Sequence, residues 1–356
     1  MLNAIRNNRD LQKVILWTAL AVVITAIVSF VPPGYDYAHF FGLHAVEISA
    51  VPWTDGLLYF LTWPIVIALT VVAQFMAVDQ RGGSLWTSLL AVASLPTIWV
   101  LLIGQLDGVA LFGLTLMSWS VPVLLIDRRQ VRRRSWWAAL GVFVVATALS
   151  AWFIHAWQGA NYFSFGVGGL QIGAALRTSP LIGVAMVPLL LWVVPIVLIK
   201  PQITAFALLA RKNWTIVTAG WVALSILIWG SWLLNLILRL SPDVKSAQPQ
   251  DISLFPWSLA WAIPMLWLGR RDQDMLMAAG SFVSPSIHPY HYAVLMPSLA
   301  RLPIGLRLLC WLFSFWPLAA NYFGPKFWLT GNLFPLTVWL CLWWLRRRGR
   351  IEAYTG

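Results

Sequence analysis

Long apolar stretches alternate with short polar segments from one end of the chain to the other. Ten such stretches occur, at residues 14–32, 57–78, 84–103, 107–126, 136–155, 180–199, 214–240, 253–269, 308–323 and 331–345. A helix needs about 20 residues to cross the hydrocarbon core of a bilayer, so each stretch can span it, the shorter ones with help from flanking residues. Strands of about 10 alternating residues are not seen, so the spans are predicted to be helices.

Two segments do not fit the pattern of simple spans. Residues 201–210 are apolar but cover only about 15 Å as a helix, which predicts a re-entrant or broken helix. Residues 275–300 contain Pro285, Pro289 and two histidines among apolar neighbours, which predicts two short helices that meet at the outer face. Irregular backbone at membrane depth is tolerated where it is buried in protein or lines a wet cavity, so a site is expected here.

The overall composition supports a membrane protein. The chain is 60% hydrophobic and 10% charged, whereas soluble domains are roughly 45–50% apolar and 25% charged. We therefore predict an all-α polytopic membrane protein in which residues 1–356 form a single transmembrane domain. The two cysteines lie inside apolar stretches, where we expect small buried thiols rather than a disulfide framework.

The positive charge marks the orientation of the chain. If the N-terminus is cytoplasmic, 19 of the 24 Lys and Arg residues fall on the cytoplasmic side, as the positive-inside rule requires. This predicts a multi-pass protein of the plasma (inner) membrane, with a cytoplasmic tail at 1–13, a first external loop at 33–56 and a basic cytoplasmic tail at 346–356. We attribute the net charge of +12 to orientation and to attraction by anionic membrane lipids, not to nucleic acid.

Three external segments carry candidate chemistry. The loop at 33–56 has no Lys or Arg, and it opens with Asp36 between Tyr35 and Tyr37. An acid there could deprotonate the hydroxyl of a membrane-bound acceptor, or it could be an ordinary loop acid that caps a short helix.

The second segment is Gly-Gln-Leu-Asp at 104–107, between two spans. Gln105 and Asp107 must find polar partners there, which a tight turn at Gly104 also explains. The third is the segment 284–291, where His288 and His291 could hydrogen-bond a phosphate or an acid, or could be interfacial histidines.

In this order the motifs resemble the GT-C superfamily of membrane glycosyltransferases, in particular glycosyltransferase family 87, the polyprenyl-phosphate-mannose-dependent mannosyltransferases. The resemblance rests on the Asp-Tyr pair at 36–37, the Gly-Gln pair at 104–105, the segment "KPQITAFALLARKNW" from Lys200, and "SPSIHPYHYAVLMP" from Ser284. It implies a bundle of about 10–12 transmembrane helices.

The resemblance also implies an activity. A hexose, expected to be mannose, would pass with inversion from a polyprenyl-phosphate-linked donor to a lipid or glycan acceptor at the external face. Asp36 would act as the base, Gln105 would help to bind the sugar, and Lys200, His288, Tyr290 and His291 would bind the substrate. No cofactor and no metal site is predicted.

Two other classes of function stay open. A catalytically inactive or structural membrane subunit would keep the fold without the site. A transporter is disfavoured, because transporters place ionisable groups near mid-bilayer and often have pseudo-symmetric halves. The spans of this chain are almost free of charge and we find no internal repeat.

Overall fold

The structure is a computed structural model, and it describes residues 9–34, 37, 61–118, 193–229 and 250–355. Within these ranges every regular element is a helix and no strand occurs. The all-α part of the prediction is therefore confirmed for the described chain. Cys310 and Cys341 are both free thiols, as expected from their place in apolar helices.

The N-terminal part packs around one central helix. Its helices are α1 (Arg9–Val28), α2 (Trp63–Gln80), α3 (Leu85–Val92), α4 (Leu95–Ile103) and α5 (Asp107–Ser118). α2 packs against both α1 and α5. α2 and α5 come closest at Gly108, where an added Cβ would overlap the side chain of Thr70. Small residues allow such close helix contacts in membrane proteins.

The predicted span at 84–103 is broken in the middle. α3 and α4 are bent by 58° relative to each other. Ser94 caps α4, because its hydroxyl accepts a hydrogen bond from the Thr97 backbone N–H at 3.5 Å. Pro96 lies in the first turn of α4, where its missing N–H costs nothing, but it could not continue a helix that began at α3.

The middle part contains short helices around Lys200. They are α6 (Val194–Val197), α7 (Pro201–Ala207) and α8 (Lys212–Trp229), and a 3₁₀ turn at Leu208–Ala210 extends α7. The hydroxyl of Thr204 donates to the Lys200 carbonyl at 2.6 Å and lies 2.7 Å from the Val197 carbonyl. These bonds tie α7 to α6, and residues 201–210 form a short helical segment distinct from its neighbours, as the broken-helix prediction expects.

The C-terminal part contains the remaining α-helices. They are α9 (Leu259–Gly269), α10 (Gln273–Gly280), α11 (Ile304–Phe313), α12 (Ala320–Phe323) and α13 (Leu333–Arg347). α10 packs between α9 and α13 and also contacts α7.

A long 3₁₀ helix, Pro289–Arg301, connects α10 to α11. It has 13 residues, whereas 3₁₀ helices rarely exceed three or four. It is buried along most of its length and packs against α2, α3, α4 and α5. The prediction for 275–300 was two short helices with a break, and the structure has α10 and the long 3₁₀ helix separated by the turn 281–288.

The described helices include several that could cross a membrane. Three segments are long and apolar enough, at Trp63–Gln80, Ile304–Phe323 and Pro325–Arg347, and the bent α3–α4 pair makes a fourth if it is one span. The predicted spans at 57–78, 107–126, 180–199 and 214–240 lie only partly among the described residues, and 136–155 lies wholly outside them.

A buried ion network lies where α2, α10 and the long 3₁₀ helix meet. Arg81 pairs with Asp274 at 2.6 Å, and Arg301 pairs with Asp272 at 2.8 Å and with Asp274 at 3.0 Å. All four side chains are 6% exposed or less. Burial alone would raise the pKa of Asp274, but the charges of Arg81 and Arg301 outweigh it and lower that pKa.

The C-terminal tail covers this ion network. The Tyr354 ring lies 4.3 Å from the Arg81 guanidinium, and Arg301 donates to the Glu352 carbonyl at 2.6 Å. Lys13 of α1 pairs with Asp79 of α2 at 2.7 Å, close in sequence to Arg81. Residues from the N-terminal helix, the 79–83 turn, the start of α10, the end of the long 3₁₀ helix and the C-terminal tail thus gather at one end of the bundle.

Candidate functional site

The opposite end of the bundle holds a buried pair of ionisable side chains. His291 Nδ1 lies 2.7 Å from Asp107 Oδ1, and each side chain is 3% exposed. Asp107 is the first residue of α5, and His291 lies in the first turn of the long 3₁₀ helix. An ionised carboxylate can only accept hydrogen bonds. When Asp107 is ionised, the Nδ1–H of His291 is therefore the donor.

The second oxygen of Asp107 is available to another donor. Asp107 Oδ2 is buried and has no hydrogen-bond partner among the described residues. A buried carboxylate oxygen without a donor is costly. A bound hydroxyl would satisfy it, so the pair can orient His291 through Oδ1 and still receive a hydrogen bond at Oδ2.

Three aromatic side chains of the same segment pack together. His288 stacks on Tyr290 with ring centroids 5.2 Å apart, and Tyr290 meets His291 edge-on at 4.5 Å. Pro289 and the first 3₁₀ turn bring these residues onto one side of the chain. Both predicted histidines and Tyr290 therefore form one cluster beside Asp107.

Asp251 fixes the turn that carries His288. Its Oδ1 accepts hydrogen bonds from the backbone N–H of Ser253 at 2.9 Å and of Ile287 at 3.1 Å. The backbone N–H of Ile252 in turn donates to the Ile287 carbonyl at 2.8 Å. These bonds hold residues 250–253 against the residue that precedes His288.

His288 is held in its neutral form. Burial, followed by the positive charges of His291 and Lys200, lowers its pKa to about 4. Asp251 acts in the opposite direction but does not reverse the shift. At neutral pH this imidazole can accept or donate a hydrogen bond without carrying charge.

Lys200 reaches the same region from the middle of the chain. It precedes α7 as the N-cap residue, and its charge acts on both Asp107 and His288. The sequence left open the side of the membrane on which Lys200 lies. The structure brings it to the end of the bundle where His291 and Asp107 meet.

The Gly-Gln turn packs against the start of the loop predicted at 33–56. Gly104 has a φ of 83°, a left-handed conformation that favours glycine, and it ends α4. An added Cβ at Gly104 would overlap Tyr37 and Trp63. The Tyr37 hydroxyl donates to the Leu61 carbonyl at 2.8 Å. Gln105 is 5% exposed and lies two residues before Asp107.

An apolar groove lies on the other side of the long 3₁₀ helix. Its volume is about 560 Å³, and its lining includes Trp261, Met265, Phe282, Leu333, Leu336 and Trp339. Asn332 lies at its wall, accepts from the Tyr292 hydroxyl at 3.0 Å and donates to the Ile252 carbonyl at 2.7 Å. Tyr292 and Ile252 are neighbours in sequence of His291 and Asp251, so the groove borders the polar cluster.

Five of the six predicted site residues fall in described regions: Gln105, Lys200, His288, Tyr290 and His291. All five lie at the end of the bundle occupied by Asp107. Asp36, the predicted base, lies outside the described residues. Gly34 and Tyr37, the nearest described residues on either side of it, both pack against 102–104.

The structure brings two acids to this site, of which Asp251 was not anticipated from the sequence. Asp107 was expected to need a polar partner, but the sequence did not show that this partner is His291. The distance along the chain to that partner hid its identity. Among the described residues, no group of three His, Cys, Asp or Glu side chains is arranged to hold a metal ion.

Comparison with protein-family models, with curated proteins and with solved structures finds no match for this chain.

Proposed function

We propose that the chain is a membrane glycosyltransferase of the GT-C type. It transfers a hexose, expected to be mannose, with inversion from a polyprenyl-phosphate donor to a lipid or glycan acceptor. The observation that carries this proposal is the buried His291–Asp107 pair with Lys200 and His288 around it. Ionisable groups are costly to bury in a membrane protein and ordinarily mark a functional site there.

The proposed placement is that of a multi-pass protein of the plasma membrane, with about 10–12 helices and both termini cytoplasmic. It is supported by the gathering of the predicted cytoplasmic segments at one end, through Lys13–Asp79 and the buried ion network. The polar cluster around His291 then belongs to the external face, where a lipid-linked sugar is presented.

The reaction requires a base for the acceptor and positive or donor groups for the leaving phosphate. The acceptor oxygen forms a bond to the anomeric carbon of the sugar, and the bond from that carbon to the phosphate oxygen breaks. The acceptor proton passes to Asp36, the proposed base. The leaving polyprenyl phosphate gains charge, which Lys200 and the N–H groups of His291 and His288 stabilise.

Asp107 and Gln105 support this chemistry in different ways. Asp107 positions His291 through the 2.7 Å contact between Oδ1 and Nδ1. Gln105 contacts the sugar, and Tyr290 packs beside both histidines and can lie against the sugar face. The apolar groove beside Asn332, with a volume of about 560 Å³ and apolar walls, is the proposed place for part of the prenyl chain.

The experiment uses the full chain reconstituted in proteoliposomes with radiolabelled polyprenyl-phosphate mannose and a membrane lipid extract as acceptor. The wild type is expected to produce labelled product, and both Asp36→Asn and His291→Ala are expected to lower the rate by about 10²-fold or more. The melting temperature of Asp36→Asn should stay near that of the wild type, whereas His291→Ala removes one partner of a buried pair and should melt lower, so its rate is compared per folded molecule. An inactive subunit of the same fold would give no product with any polyprenyl-phosphate hexose.

A structural role for His291 predicts a different result. His291→Ala would then lower the amount of folded protein, but the transfer rate per folded molecule would equal that of the wild type. Measuring both quantities on this one variant separates the two readings.

A further inference from the structure

A positively charged surface lies at the end of the bundle opposite His291. Five exposed arginines from two separate chain segments make it up: Arg270, Arg271, Arg347, Arg348 and Arg350. The Arg346 side chain, 3.5 Å from the Arg270 carbonyl, joins the end of α9 to the end of α13. We call the five arginines and the indoles beneath them the Arg–Trp belt.

Indole rings, two of them exposed and one half-buried, lie beneath three of these arginines. The guanidinium of Arg270 lies 4.7 Å from the Trp267 ring, and that of Arg348 lies 4.3 Å from the Trp344 ring. Arg347 stands over Trp343 at 5.3 Å. Indole rings prefer the boundary between hydrocarbon and headgroups, so the arginines they hold are placed at the depth of lipid phosphates.

The positive charge of the belt is uncompensated. Among the residues that the structure describes, none of the five arginines forms an ion pair, whereas the neighbouring Arg81 and Arg301 are both paired with acids. Like charges held together repel, so an anion from outside the chain would stabilise the cluster.

Backbone strain at Arg271 is a second and independent indication. Its φ is +67°, a left-handed conformation that is strained for a residue other than glycine. Glycine would make the turn between α9 and α10 without this strain. An exposed arginine at this strained position therefore favours a functional role for its positive charge.

We propose that the Arg–Trp belt binds the phosphate groups of anionic phospholipids in the leaflet at this end of the bundle. Each exposed guanidinium can form a charge-assisted hydrogen bond to a phosphate oxygen. The indoles lie against the upper part of the acyl chains. The inference rests on the proposed membrane placement but not on the transferase chemistry, which belongs to the opposite end.

The test titrates the detergent-solubilised protein with phosphatidylglycerol or phosphatidylcholine and counts bound lipids by native mass spectrometry. Phosphatidylglycerol is expected to bind at least 10-fold more tightly than phosphatidylcholine. Arg271→Gly and Arg348→Gln should each weaken phosphatidylglycerol binding about 5-fold, the scale for one basic residue near an anionic surface. Arg271→Lys should keep most of the affinity.

The matched control is Lys326→Gln, which removes one exposed charge near the other end of the bundle. It should leave phosphatidylglycerol binding unchanged. Arg271→Gly should also melt at the wild-type temperature or above, because glycine removes the strain. Equal binding of both lipids, or equal losses in Lys326→Gln and Arg348→Gln, would overturn the proposal. Because no sugar transfer is measured, an inactive transferase would leave this result unaffected.

Discussion

Asp107 and His291 are 184 residues apart in sequence, yet their side chains meet at 2.7 Å. If the chain is the proposed transferase, we expect Asp107→Asn to lower sugar transfer by about 10²-fold, because the amide loses the charge-assisted hydrogen bond that orients His291 toward the donor phosphate. The rate constant at saturating donor should fall more than the KM rises. Steady-state transfer in proteoliposomes measures both.

A charge-matched control for this change is Asp79→Asn at the other end of the bundle. Asp79 is partly exposed and pairs with Lys13, so its loss should leave transfer unchanged. If Asp107→Asn turns over like the wild type, Asp107 has no part in positioning His291.

The buried ion network predicts a large difference between two acids. Asp274→Asn leaves two buried arginines with one acid fewer, and we expect a loss of about 3–5 kcal/mol in the free energy of unfolding. Asp79→Asn breaks a partly exposed pair and should cost about 0–1 kcal/mol. Unfolding of both variants in detergent, followed by circular dichroism, gives the comparison. Equal losses of unfolding free energy in the two variants would mean that water screens the buried ion network as it screens an exposed pair.

Close packing of α2 on α5 predicts the effect of a single methyl group. Gly108→Ala places a Cβ against the short side chain of Thr70, which cannot move aside, so the melting temperature should drop by several degrees. Gly220→Ala in α8 meets no atom within 4 Å and should be neutral or stabilising, since alanine favours a helix. Thermal unfolding of the two variants tests the contact, and equal melting temperatures would refute it.

The low pKa of His288 predicts acid sensitivity. The unfolded chain protonates this imidazole below about pH 6.5, whereas the folded protein does so only near pH 4. Its contribution to stability is therefore complete above pH 6.5 and is lost as the pH falls to 4, a change of about 3 kcal/mol. The melting temperature of His288→Gln should fall less than that of the wild type between pH 7 and pH 4.5. If the melting temperatures of both proteins fall equally with pH, groups other than His288 cause the acid sensitivity.

The proposed placement is tested by labelling from either side of the membrane. In a background of Cys310→Ala and Cys341→Ala, Tyr322→Cys is expected to react with an impermeant maleimide from outside intact cells. Glu352→Cys should react only after lysis, because its tail lies on the buried ion network at the cytoplasmic end. If both positions react from outside intact cells, the proposed topology is wrong.

Local features of the fold could be predicted because their causes are local. Apolar stretches of helical length gave the helices, the short segment after Lys200 gave a separate helix, and Gly104 gave the left-handed turn. The sequence analysis did not predict the break between α3 and α4, although Ser94 is a typical N-cap residue and Pro96 is typical of a first helical turn. The apolar residues on both sides of these two positions had predicted one continuous span.

The pairing at the site could be predicted only in part. The motifs at 104–105, 200 and 284–291 pointed to Gln105, Lys200 and the histidines, but no local rule names the partner of His291. Contacts between distant segments depend on how helices pack, and the choice of a 3₁₀ over an α-helical winding at 289–301 depends on the same packing. The role of Asp36 stays a prediction.

The long 3₁₀ helix is fixed at both ends, at His291 by Asp107 and at Arg301 by Asp272 and Asp274. From His291 to Arg301, an α-helical winding would be about 5 Å shorter and would differ in rotation by about 200°. Under that winding the two side chains could not both reach their acids. The two end anchors therefore act together with the helix packing to hold the 3₁₀ pitch, and the pair at one end of the bundle shares one connecting element with the ion network at the other.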